Sequence, residues 1–235
     1  MTLSIIPVVG VGEIKPGDEL AVLIADAAHA HGDPLQDGDC LVVTQKVVSK
    51  AENRLVHLDP DDLDARRALV ESESVRIVRR RGDLIISETR HGFVCANAGV
   101  DLSNVEQGWA ALLPVDSDRS AKHIRDALRA RAGVAVAVVI SDTFGRPWRR
   151  GLTDVAIGVS GIAAVLDLRD TPDAVGRILH VTEVAIADEV AAAAELVMGK
   201  SARVPAAIVR GLDRSWLRES SVRELVRPSN EDLFR

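Results

Sequence analysis

The 235-residue chain has little cysteine: Cys40 and Cys95 stand alone, without CxxC spacing. Two isolated thiols in apolar surroundings build neither a disulfide framework nor a zinc site, so buried structural cysteines are expected. Positive charge is also in deficit, with 29 Lys and Arg against 35 Asp and Glu and a net charge of −6. That balance excludes a general nucleic-acid binder, which needs a basic surplus over a broad surface. No window approaches the ~20 consecutive apolar residues that span a bilayer. The opening "MTLSIIPVVGVGEI" has no basic start ahead of a long apolar stretch, so a cytoplasmic protein with no membrane partner is expected. Several catalytic signatures are missing. There is no GxSxG and no HExxH, and Gly10, Gly12 and Gly17 miss the GxGxxG spacing. Gly199, Lys200 and Ser201 lack the glycine five positions upstream that a Walker loop requires. With no Pro/Gly/Ser-rich linker and no internal repeat, residues 1–235 are expected to form a single domain.

What is present is a core. Hydrophobic residues make up 47% of the chain, ample for a packed interior at this length. "LSIIPVV", "CLVVT", "VAVAVVI" and "VPAAIVRGL" read as strands, and "GVSGIAAVLDLR" as a further buried strand. Helices are expected from about Asp18 to Ala30, over "DPDDLDARRALVESES", over "DSDRSAKHIRDALRARAG" with Gly133 as its stop, and through "AVGRILHVTEVAIADEVAAAAELVMG". The tail "SVRELVRPSNEDLFR" reads as a short helix, and "RIVRRRGDL" as a solvated helix end or edge strand. Strands and helices alternate irregularly, which favours an α+β fold of two intimately packed lobes over a doubly wound sheet.

Three groups of residues invite chemistry. Asp101, Ser103 and Asn104 cluster in "NAGVDLSN", and Asp142 with Thr143 closes the run "VVISDT". Carboxylate and hydroxyl oxygens suit magnesium or manganese, although each aspartate equally suits the capping of a turn. Lys46 and Lys50 are four residues apart, facing one way if the segment is helical. They can neutralise phosphate oxygens or simply be solvated. Arg146, Arg149 and Arg150 flank Trp148 in "GRPWRRG" and offer bidentate partners for an acidic substrate. Trp148 either stacks on a ring or packs its loop.

Taken in order, "VTQKVVSKAENR", "RHGFVCANAGVDLSN", "VISDTFGRPWRRGLTDVAIG" and "VMGKSARVPAAIVRG" resemble the coenzyme F420-0:L-glutamate ligase family, the F420 γ-glutamyl ligases, over nearly the whole chain. The resemblance implies a GTP-dependent enzyme that adds L-glutamate to the deazaflavin precursor coenzyme F420-0, and further glutamates in γ linkage, through an acyl phosphate. It implies magnesium or manganese, with potassium as an additional candidate ion, and an intertwined homodimer. It implies metal binding at Asp101, Asp142 and Thr143, with Asp142 and Lys50 in catalysis. GTP contacts are implied at Val11, Gly12, Glu13, Ile14, Gln45, Lys50 and Asn104, and in the late loop at Met198, Gly199, Lys200 and Ser201. Where many members read Thr-Ser-Lys this chain has Thr44-Gln45-Lys46, an amide in place of a hydroxyl. The C-terminal nitroreductase-like domain fused in some members is not expected here. Two rival readings use the same residues: a metal-dependent phosphohydrolase, and a noncatalytic nucleotide-binding partner of a biosynthetic complex.

Overall fold

Strict alternation along the apolar strands organises the structure, a computed structural model that describes residues 2–233. In chain order the elements are β1 (Ser4–Val8), α1 (Leu20–Ala30), β2 (Cys40–Thr44), α2 (Gln45–Ala51), β3 (Leu55–His57), α3 (Leu63–Ser72), β4 (Ser74–Arg81), β5 (Leu84–Thr89) and β6 (Val94–Ala96). There follow β7 (Trp109–Ala111), α4 (Ser117–Ala132), β8 (Ala137–Gly145), β9 (Leu152–Ser160), β10 (Leu166–Asp167), β11 (Glu183–Val184), α5 (Ile186–Met198) and β12 (Ala206–Arg210). Five strands form the main sheet in the order β1-β12-β2-β8-β9, with only β2 and β8 parallel. Leu41, Val43, Val138, Ile140 and Ile208 pack on one face with Ile24 of α1 and Ile124 and Leu128 of α4. Cys40, Val42, Val139, Ala207 and Val209 pack on the other with Val190, Ala191, Ala194 and Met198 of α5. Because both faces are covered, the central strands read as unbroken apolar runs rather than as alternating ones.

This arrangement fixes the site. The parallel pair brings the carboxyl ends of β2 and β8 side by side, with Thr44 opposite Ser141. There α2 begins, and there β8 changes from apolar to polar residues. At that point the β8–β9 ladder slips, from Ile140 opposite Gly158 to Ser141 opposite Ala156, which leaves Ile157 as the extra residue of a bulge. Bulges re-aim side chains where a strand enters a functional region.

Three sequence-based expectations need correction. The strand does not end on Asp142; β8 runs to Gly145 and turns back as β9, because the polar residues of "SDTFG" find cross-strand partners. The stretch "GVSGIAAVLDLR" is not one strand: β9 ends at Ser160, Gly161 turns with φ +77°, and only Leu166–Asp167 pairs again, with β11. The long helix expected from residue 174 begins only at Ile186, since residues 168–182 form an arm closed by the Pro172–Ile178 bridge. The tail forms a single 3-10 turn at Val222–Leu225, and the arginine-rich stretch is the edge strand β4 of the three-stranded sheet β4-β5-β6. Both cysteines are buried, as expected.

Helix α4 docks its first turn directly onto β9, where the Asp118 carboxylate accepts from Val159 N–H at 2.8 Å. Gly158 permits this approach, since a Cβ there would lie 2.4 Å from the Ser117 carbonyl oxygen and 2.6 Å from Ser117 Cβ. Backbone cannot rotate away as a flexible side chain does. Gly158→Ala is therefore expected to cost about 1–3 kcal/mol, read as a fall in melting temperature of roughly 2–4 °C per kcal/mol. A melting temperature equal to wild type would contradict this packing.

Candidate active site

Beyond the bulge, alternation sends successive β8 side chains to opposite faces. Asp142 lies on the face of Ile140 and Phe144, whereas Ser141 and Thr143 lie on the other face, beside Asp154 and Ala156 of β9. The metal set expected from the sequence thus divides into two parts.

On the first face, Asp142 approaches Asp101. Asp101 is anchored by reciprocal backbone bonds with Ala111 at 2.9 and 2.8 Å, and its Oδ1 accepts from Ser103 N–H at 2.7 Å. The turn-capping role considered for Asp101 is thus real. Its other oxygen pairs with Lys46 Nζ at 2.6 Å, and Lys46 also donates to Ser103 Oγ at 2.7 Å. Burial works against ionisation of Asp101, but the bonds from Lys46 and Ser103 prevail and hold its carboxyl below the ordinary range. Asp142 is in the opposite condition. Burial first, then the charges of Asp101 and Asp154, push its carboxyl up to about 7, against one relieving bond from Thr143 N–H at 2.8 Å. The same surroundings push the Cys95 thiol up to about 12, through burial and the Asp142 charge.

On the second face, Asp154 is 2% exposed and accepts from Ser141 Oγ at 2.9 Å and Thr143 Oγ1 at 2.5 Å. Lys200 reaches in from the loop after α5, contacting Thr143 Oγ1 and lying 3.8 Å from Asp154 and 3.9 Å from Glu195. Sequence reasoning missed Asp154. Its signal was the "TD" at residues 153–154, which a hairpin through "GRPWRRG" places opposite "SDT". Spacing cannot reveal such a partner until the strand is recognised as continuing past Asp142.

Helix α2 carries Lys46 and Lys50 on one side, as a helical turn requires. Lys50 pairs with Glu13 at 2.5 Å, which ties residues 11–14 to α2 while Ile14 anchors in the core. Asn104, at φ 52°, donates to Lys200 O at 3.3 Å and so joins the two loops expected beside a nucleotide. Gln45 faces inward: at 1% exposure its amide donates to Ser49 Oγ at 2.6 Å and Leu112 O at 3.0 Å. Its side chain supports the helix. Met198 is also buried, in the core under α5. Arg146, Arg149 and Arg150 lie in the exposed turn between β8 and β9, where Arg146 Nη2 donates to Arg150 O at 2.8 Å. Among the described residues no ion pair joins them to the aspartates. Trp148 in the same turn is 83% exposed.

Among the described residues no three His, Cys, Asp or Glu side chains converge as a metal cage. The donor set nevertheless fits a hard cation, because Asp142 with Asp101 supplies crowded carboxylate oxygen, whereas the Thr143 hydroxyl, on the other face, donates to Asp154 and accepts from Lys200. Magnesium and manganese take few protein ligands and fill the rest with water and phosphate oxygens. Within this site no serine or cysteine is set against a histidine as a nucleophile. The constellation is one of positioned charge.

Comparison with known proteins agrees with this inventory. Residues 9–211 match the family F420-0:Gamma-glutamyl ligase. A coenzyme F420:L-glutamate ligase of Methanothermobacter thermautotrophicus is 46% identical over 251 aligned positions, covering 100% of both chains. One from Methanopyrus kandleri is 43% identical, covering 100% of this chain and 98% of the relative, and one from Methanocaldococcus jannaschii is 40% identical over 86% of each. With the match running through both aspartate loops and the late lysine loop, the chain belongs to the F420-0:Gamma-glutamyl ligase family.

Proposed function

We propose that this chain is a cytoplasmic, GTP-dependent ligase of coenzyme F420 biosynthesis. It joins the amine of L-glutamate to the carboxylate of coenzyme F420-0, and then adds γ-linked glutamates, through an acyl phosphate. The observation that carries this reading is the meeting of Asp101 and Asp142 beside the cationic groups of Lys46 and Lys200, at the carboxyl ends of the parallel strands β2 and β8. Ligands bind beyond the carboxyl ends of such strands.

Amide formation in water is uphill, so the acceptor carboxylate must first be activated. Phosphoryl transfer asks a protein mainly for alignment and neutralisation of charge. Lys50, released from Glu13 when phosphate arrives, neutralises phosphate oxygens; Lys200 and the backbone around Asn104 close over the nucleotide. Asp101 and Asp142, with Thr143 on the neighbouring face, would hold magnesium or manganese. The chemistry such an ion would supply there is polarisation of the phosphoryl group and screening of its charge from the incoming carboxylate. Arg146, Arg149 and Arg150 extend past the site on the β8–β9 turn and suit the carboxylates of glutamate or of the growing tail. The F420-0 carboxylate takes the γ-phosphoryl group and GDP leaves; the glutamate amine then attacks the acyl carbon, loses a proton and expels phosphate, and no protein nucleophile is needed.

An intertwined homodimer belongs to the same reading. It is supported by the arm at 168–182, whose Val175 and Val181 are 79% and 86% exposed.

Phosphate release from GTP tests the proposal. Release is expected only when both F420-0 and L-glutamate are present. Equal release without glutamate would replace the ligase by a phosphohydrolase, and GTP binding without turnover would leave only a binding partner.

A further inference from the structure

Aromatic residues are scarce, at 3% of the chain, and only three are phenylalanine. Two of these three meet in one place. Phe93 and Phe144 pack edge to face with ring centroids 6.2 Å apart, and His91 stacks on Phe93 at 5.5 Å. The two phenylalanines line a cleft of about 290 Å³ that opens to solvent, completed by Val155, Leu225, Val226 and Arg227. Phe144 stands two residues beyond Asp142 on the same face of β8, about 6.6 Å along the strand, and Val155 is the cross-strand partner of Asp142. Two walls of the cleft are thus immediate neighbours of Asp142, one along β8 and one across to β9. The cleft volume suits a small planar ligand, near the lower end of ligand pockets at ~300 Å³.

The rim has both signs of charge. Asp188 is committed to Ala156 N–H at 2.8 Å, Asp232 also borders the opening, and Arg227 has no ion pair among the described residues. An apolar slot with an aromatic wall and a guanidinium at its mouth matches a flat ring carrying an anionic tail.

We propose that this cleft holds the planar heteroaromatic ring of the acceptor substrate against Phe144, so that its carboxylate-bearing tail extends along β8 toward Asp142. The inference rests on the ligase reading above, which supplies a deazaflavin acceptor. Guanine is the other planar heteroaromatic ring in the reaction, and the test separates the two.

Deazaflavin fluorescence on titration with metal-free protein reads ring binding directly, and steady-state assays read KM for F420-0 and for GTP separately. Phe144→Ala, and Val94→Trp at a 43% exposed position on the rim, are each expected to weaken deazaflavin binding and raise its KM about tenfold or more. The KM for GTP and kcat should stay unchanged. Val94→Trp sits on the surface and keeps the test informative if Phe144→Ala unfolds. A rise in the GTP KM alone would assign the cleft to the guanine base and overturn the proposal, as would unchanged constants in both folded variants. Wild-type protein that binds deazaflavin and loses it in the variants, yet never forms glutamylated product, would overturn the ligase reading while leaving the ring site standing.

Discussion

Replacing Asp142 by asparagine is expected to lower kcat/KM by on the order of 10³-fold while leaving the metal-free protein no less stable at pH 8. The two effects have one origin. Asp142 is buried between the carboxylates of Asp101 and Asp154, which raises its carboxyl from 3.8 to about 7. Between those values the folded chain keeps a proton that the unfolded chain has lost. Ionisation of Asp142 therefore costs stability progressively as pH rises from about 4 through 7, and the full cost stands above 7. Asparagine cannot ionise and removes that cost. Thermal unfolding of metal-free wild type and variant at pH 5 and pH 8 should show the variant's gain over wild type larger at pH 8 than at pH 5. Loss of stability at pH 8, or an active variant, would contradict a residue kept strained for binding a cation. Such local conflict is what functional sites characteristically retain.

Asp154 carries the second large effect. Its carboxylate receives the hydroxyl protons of Ser141 and Thr143, and it is nearly inaccessible to water. Asp154→Ala leaves both donors without their acceptor and removes the charge facing Lys200. Bonds to a charged group contribute roughly 1.5–3 kcal/mol each, so a destabilisation of about 3 kcal/mol or more is expected, measured by denaturant unfolding. Asp154→Asn keeps the shape, but its amide nitrogen donates where the carboxylate accepted, so one hydroxyl must turn. Supporting residues of this kind typically change metal affinity or activity 10–100-fold, and titration of the variant with manganese in the presence of GTP reads this without turnover. In a Thr143→Val background the Asp154→Asn effect on manganese affinity should largely vanish, because the two residues act as one unit. Additive losses would show that Asp154 acts elsewhere.

The strands of the main sheet were legible because burial on both faces writes them as apolar runs, and α4 because Asp116 and Gly133 bracket an amphipathic stretch. The β8–β9 hairpin was not. Its outer half is polar, so hydrophobicity ends at Ile140 while hydrogen bonding continues to Gly145. Residues 174–182 of the arm read as helix because their alanine, valine and leucine content carries no period of its own, and only the bridge between Pro172 and Ile178 reveals the turn back. In the site, Asp101 and Asp142 could be picked out individually, since each follows an apolar stretch in a polar loop. Their different fates, one held ionised by Lys46 and the other pressed toward neutrality by burial and by the charges of Asp101 and Asp154, exist only in the fold. Gln45 shows the converse. A polar residue in a matching motif position turned inward to hold Ser49 and the Leu112 carbonyl.

Mass spectrometry of F420-0 incubated with the protein, L-glutamate, GTP and manganese tests the central claim most directly. Product heavier by one or more glutamyl units is expected in the complete reaction, none when glutamate is omitted, and none with Asp142→Asn. Unchanged F420-0 after incubation with folded wild-type protein that binds GTP would contradict it.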